Sequence, residues 1–117
     1  MNFNLPYTIV NEVLWIIRDN DRQHNLAEES TPEQLESRYI FRQMRAVDEA
    51  LDDVVKPFQA NIREKLREGL ILSCQGREHT WETLSLSSVV YKGAFHHARQ
   101  RFIYEIASAL ELAPDST

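Results

Sequence analysis

The chain has 117 residues, 43% of them apolar, and a formal net charge of −5, which allows one modest core and excludes wholesale disorder. Three glycines and four prolines give too little punctuation for the many tight turns of a sandwich or barrel, so a helical domain is expected. One cysteine, Cys74, excludes an internal disulfide, and no apolar run approaches the ~18 residues of a membrane span.

The first apolar run, Ile9 to Ile17, is interrupted by Asn11 and Glu12. It lacks the basic flank and cleavage site of a signal peptide, so a cytoplasmic setting is expected. Val10, Val13, Leu14 and Ile17 follow helical spacing after Leu5-Pro6, and the pattern predicts one helix from about Pro6 to Glu28. Asp19, Asp21 and Glu28 lack the glycine and distal glutamate of a calcium loop and read as a solvated helix face.

Thr31 and Gln34 form a capping box with Pro32 at the first helical position, which starts a second helix. Its stripe is Ile40, Met44, Val47, Leu51 and Val54, at heptad-like steps, suiting either a partner within the bundle or a dimer seam. The end of this helix is acidic, with Asp48, Glu49, Asp52 and Asp53, against the helix dipole. Lys56-Pro57 breaks it. A third helix follows with Phe58, Ile62, Leu66 and Leu70 on its buried face and Gly76 as a left-handed C-cap.

From Thr80 to Leu112 the pattern predicts a short helical piece, Trp81–Leu84, then a serine-rich turn, then a long helix. Tyr91, Phe95, Ala98, Phe102, Ile106 and Ala109 recur at steps of three and four, which makes them the buried face, with Ser87 or Ser88 as the cap. Trp81 is expected to plug the space between the two helices. Between Ser87 and Tyr104 there are three cations, Lys92, Arg99 and Arg101, and no acid. Short helix, turn and long basic-faced helix is the order of a helix-turn-helix. The fold expected is therefore all-α, one domain over 1–117. Residues 1–76 form a three-helix part, 77–112 a helix-turn-helix part with a long last helix, and 113–117 a frayed tail, giving four or five helices.

No catalytic constellation is present. Cys74 with His79 is the sole nucleophile–base arrangement worth naming, and no known nucleophile turn surrounds it. Adjacent His96 and His97 point about 100° apart on a helix, so they do not share an ion. His24, His79 and Cys74 lack zinc-site spacing, and the three glycines form no phosphate loop. The expectation is a binding protein, not an enzyme, without cofactor or metal.

Leu5-Pro6 with the helix ending Trp15-Ile16-Ile17-Arg18-Asp19-Asn20-Asp21-Arg22 resembles the opening of small phage- and prophage-encoded proteins of Gram-positive bacteria. So does the closing part, Tyr91-Lys92 and then Arg99 to Ala107. The tails of those proteins are similar to the region-4 helix-turn-helix of sigma factors, as in ArpU- and RinA-like regulators of phage late genes. The resemblance implies a transcriptional regulator whose last helix enters the major groove of duplex DNA. Ser88, Lys92, His96 and Arg99 then sit on or near the reading face, and Arg101 grips the backbone. A homodimer is expected from the pairing of half-sites, through Ile40, Met44, Val47, Leu51 and Trp15.

The charge distribution keeps a second reading open. Residues 1–57 hold eleven acids and six bases, and residues 58–117 hold seven of each, so the acidity belongs to the first half. That suits a protein-binding module or inhibitor acting on a host protein such as RNA polymerase, through Trp15, Asp48, Glu49, Asp52 and Asp53, without DNA affinity.

Overall fold

The computed structural model describes residues 4–36 and 39–112, with the side chains of residues 35 and 36 left aside; the tail 113–117 lies outside these residues. The fold is an all-α bundle. Its helices are α1 (Tyr7–Arg18), α2 (Asn20–Glu29), α3 (Pro32–Glu36), α4 (Tyr39–Val55), α5 (Ala60–Gln75) and α6 (Lys92–Ala109), with a 3-10 turn at Leu86–Ser88. Among the described residues there is no strand, and no helix is long and apolar enough to cross a membrane. The most extensive helix pair is α4 with α6; α1 lies against both α5 and α6, and α2 lies against α4.

The single first helix expected from Pro6 to Glu28 is two helices. Pro6 precedes α1, and its carbonyl accepts the amides of Ile9 (3.0 Å) and Val10 (3.1 Å). Val13, Ile16 and Ile17 face the core. At Asp19 (φ −87°, ψ 0°) the chain bends, its amide shared between the carbonyls of Trp15 (3.1 Å) and Ile16 (3.2 Å). The Asp19 carboxylate then takes two bonds from Arg22, both 2.7 Å, at the start of α2, where the dipole favours an anion. The bend lays α2 across α4 and turns Asn20 and Gln23 inward, although both belong to a polar run. Gln23 is 1% exposed. Its Nε2 donates to the Gln43 Oε1 (3.2 Å) and reaches the Ile16 carbonyl (3.5 Å).

The capping box at Thr31 is formed reciprocally: the Thr31 amide donates to Gln34 Oε1 (3.1 Å), and the Gln34 amide donates to Thr31 Oγ1 (3.3 Å). It caps the short α3. The heptad-like stripe lies on α4, where Met44, Val47, Leu51 and Val54 are buried together with Ala46, Ala50 and Val55. The end of α4 is met by Arg63, whose guanidinium donates to the carbonyls of Phe58 (2.8 Å) and Lys56 (2.9 Å). The compensating cation thus comes from the next helix. That helix starts at Ala60, after Pro57, and leaves Phe58 and Ile62 half-buried while Leu66 and Leu70 are fully enclosed.

Gly76 does not adopt the left-handed cap. Its φ of −157° and ψ of 144° are extended, so the chain leaves α5 straight. The short helix expected at Trp81–Leu84 is a set of turns. Thr80 and Thr83 tie these turns locally, each side-chain oxygen accepting the other's amide (3.2 and 2.7 Å), which satisfies the backbone without a helix. Ser85 takes a left-handed conformation (φ 54°) and drops Leu86, 1% exposed, into the core against Gly69. Trp81 is half-buried as the expected plug, its indole N–H donating to the Val90 carbonyl (2.9 Å).

α6 begins at Lys92, later than a cap at Ser87 or Ser88 requires, and neither serine caps it. Tyr91 therefore precedes the helix and is 88% exposed instead of buried. Ala109, at the other end of the expected stripe, is also exposed. Between them Phe95, Ala98, Phe102 and Ile106 are buried as the spacing predicts, joined by Ile103 and Ala107.

Candidate binding surfaces

The α6 residues expected to bind DNA fall on two sides of the helix, Arg101 being the one expected only to grip the backbone. Lys92, His96 and Arg99 follow one side of α6, and Arg101 lies nine positions beyond Lys92, about half a turn around the axis. Lys92 pairs with Glu82 of the preceding turn (2.5 Å), which pulls the Glu82 carboxyl down to about 2. Arg99 is half-buried and reaches the Ser73 carbonyl at the end of α5 (3.4 Å). Arg101 points to α4, 2.8 Å from Asp53 and 3.5 Å from Glu105. Ser88 and His96 are exposed.

The acidic end of α4 is likewise paired. Asp48 meets His24 (3.2 Å), Glu49 meets Arg45 (2.9 Å), Asp52 meets Arg67, and Asp53 meets Arg101. Exposed pairs of this kind contribute about 0–1 kcal/mol each. Their larger consequence is that arginines of the same chain offset part of the charge of Glu49, Asp52 and Asp53 that would attract a basic partner. Trp15 is 67% exposed, with the Arg18 guanidinium 5.2 Å from its ring centroid. Of the expected dimer residues, Met44, Val47 and Leu51 are buried within one chain and Ile40 is half-buried, so only Trp15 is presented to a second copy.

Asp53, Arg101 and Glu105 form a three-member cluster between α4 and α6. Burial, reinforced by the neighbouring Asp53, raises the Glu105 carboxyl from its ordinary 4.5 to about 7, and its Oε2 is buried without a hydrogen-bond partner. A raised acid stabilises the fold fully below its unfolded pKa of 4.5, and this contribution is lost as pH rises through about 7. Asp53, held below its ordinary value, works in the opposite direction at lower pH. Glu105→Gln should therefore melt ~2–5 °C above the wild type at pH 8 and within about 1 °C of it at pH 5. Equal melting temperatures at both pH values would show that Glu105 does not titrate in this range.

Two depressions flank the loop between α5 and α6. A groove of about 610 Å³ is lined by Phe58, Ile62, Val89, Val90 and Ala94 together with the polar Gln59, Asn61, Ser87 and Ser88, with Tyr91 on its rim. A cleft of about 400 Å³ opens between α1, the end of α5 with the residues after it, and α6. Ser73 and Cys74 form part of its wall, with His79 beside them. Cys74 is 2% exposed, and burial pushes its thiol above the ordinary value despite nearby Arg99 and Arg18, so it stays protonated and weakly nucleophilic. Among the described residues, no three histidine, cysteine or acidic side chains gather to hold a metal ion.

The sequence reading missed Tyr91 as a surface residue and Arg18 and Arg77 as cleft residues. Tyr91 sits four positions before Phe95, so spacing alone makes it core; the missing signal is the helix start, which has no side-chain cap. For Arg77 no spacing signal exists, because an irregular loop places it. Comparison with protein-family models, curated proteins and solved structures gave no match.

Proposed function

We propose that this chain is a phage-type regulator that binds a protein of the transcription machinery and does not act mainly by reading duplex DNA. The carrying observation is Tyr91, 88% exposed on the rim of a partly apolar groove beside Phe58, Ile62 and Val89. An exposed aromatic next to an apolar depression is the arrangement of an interface anchor. The regulatory setting comes from the sequence resemblance. The preference for protein over DNA comes from Lys92 and Arg101, whose charges are each met by a carboxylate of the same chain.

A second reading rests on the exposed start of α6. The Lys92–Glu82 pair has both side chains about half exposed, at 55% and 53%, and such a pair opens at little cost to admit a phosphate. Two measurements separate the readings. The wild type should bind purified RNA polymerase from a Gram-positive bacterium in interferometry, and Tyr91→Ser should weaken this at least ~10-fold with unchanged melting. In a gel-shift titration at about 50 mM salt, the wild type should leave phage and random duplexes unshifted at high micromolar protein. A salt-sensitive shift abolished by Lys92→Glu with Arg99→Glu would instead establish the DNA reading. Failure to bind the polymerase would remove the proposed partner.

A further inference from the structure

We propose that the cleft between α1, the end of α5 and α6 is a binding site for a small phosphate ester with a flat or apolar body. It lies on a different part of the surface from the Tyr91 groove, and no residue lines both. Three arginines line it from three segments: Arg18 from α1, its guanidinium also 5.2 Å from the Trp15 ring centroid, Arg77 from the loop and Arg99 from α6. His79 and His96 add two further nitrogen bases, and no aspartate or glutamate is among the lining residues. The chain as a whole carries −5, so this concentration of positive charge runs against its overall balance.

A simpler role accounts for one of these cations. Arg99 at 3.4 Å from the Ser73 carbonyl serves the C-terminal end of α5, where the helix dipole favours a positive group. It does not account for Arg18 and Arg77 lining the same cleft. Among the described residues, no ion pair joins any of the three arginines to a carboxylate. An acid does stand beside the cleft: the Glu78 carboxylate lies over Gly76 and 3.5 Å from His79. An anion entering the cleft meets these cations with no lining carboxylate to offset them. Guanidinium groups suit phosphate because their planar forks donate in pairs.

The rest of the wall fits the body of such a ligand. Val10, Leu14 and Trp81 supply apolar and aromatic surface over the buried Phe95, and the volume of about 400 Å³ is that of a small-molecule site. Trp81 is held in place by its bond to the Val90 carbonyl (2.9 Å), so the ring is already oriented. Asn11 and Thr80 add uncharged polar groups at the edges.

The test is a titration of the isotopically labelled protein followed by amide and arginine side-chain resonances. The probes are adenosine 5′-monophosphate, adenosine, inorganic phosphate and a hexaglutamate peptide, each to about 10 mM at about 50 mM salt. The nucleotide should shift Arg18, Arg77, Trp81 and Arg99 saturably, with a dissociation constant below about 1 mM and adenosine at least ~10-fold weaker. Arg77→Gln, at an exposed loop position, should weaken the nucleotide at least ~10-fold without a change in melting temperature. Arg99→Gln should do the same if it folds. The proposal is overturned if no phosphate-bearing probe saturates, if adenosine binds as well as its phosphate, or if Arg77→Gln leaves binding intact. Tighter binding of hexaglutamate than of the nucleotide would overturn it too, and would assign the cleft to an acidic protein segment.

Discussion

Phe102→Ala is expected to lower the unfolding free energy by ~3–5 kcal/mol, against a total of about 5–15 kcal/mol for a domain of this kind. Phe102 is 0% exposed at the middle of α6, within the most extensive helix pair of the fold. Removing its ring deletes contacts that α4 cannot replace by collapsing, since Val47, Val54 and Val55 are already enclosed and stiff at their branched carbons. Urea unfolding followed by circular dichroism would measure this, with an unchanged slope showing that only stability moved. A loss below about 1 kcal/mol would mean that α6 does not dock on α4 as described.

The second large effect lies at the loop plug. Leu86→Ala should cost ~2–5 kcal/mol, because Leu86 is 1% exposed and the turns around it leave no neighbour free to refill the space. A Cβ built on Gly69 would stand 2.9 Å from Leu86 Cδ1 and 3.4 Å from its Cδ2. Gly69→Ala alone should therefore destabilise, even though alanine is favoured over glycine in a helix interior by about 1 kcal/mol. In the Leu86→Ala background the obstruction is gone, and the same substitution should become stabilising. This reversal of sign is a coupling that a double-mutant cycle reads directly. If Gly69→Ala has the same sign in both backgrounds, Leu86 does not seat on α5.

These sites show which parts of the fold were legible in the sequence. Helical periodicity placed the core of α4, the Leu66–Leu70 face of α5 and the Phe95–Ile106 face of α6, because burial against a partner enforces a repeat that composition displays. The capping box was legible because both of its bonds are local. Three features were not. The bend at Asp19 depends on α2 lying across α4, and the polar letters of Asn20 and Gln23 hide their inward orientation. The turns at Trp81–Leu84 follow from Thr80 and Thr83 competing for backbone amides, which a helical reading of Trp-Glu-Thr-Leu overlooks. The pairing of the charged side chains was the least legible. A run of cations on α6 and a run of acids on α4 look like two binding faces in one dimension, yet Arg101 and Asp53 turn out to face one another.

The position of α1 has a consequence for synthesis on the ribosome. Its buried face, Val13, Ile16 and Ile17, packs on α5 and α6, both of which follow it by long stretches of chain. At about 5–20 residues per second, α6 emerges roughly 4–17 s after α1. The first neighbour to appear gives little shelter, since α2 lies mainly on α4, and α5 covers only part of the face before α6 arrives. During that interval an amphipathic helix with an apolar stripe and a solvent-facing Trp15 stands unpaired, a ready target for a chaperone or for a neighbouring nascent chain. Products that stop before Lys92 leave the α6-facing part of the stripe uncovered and lack the residues from Phe95 to Ala107 that close the core. Premature termination should therefore yield polypeptides suited to degradation and not to partial function.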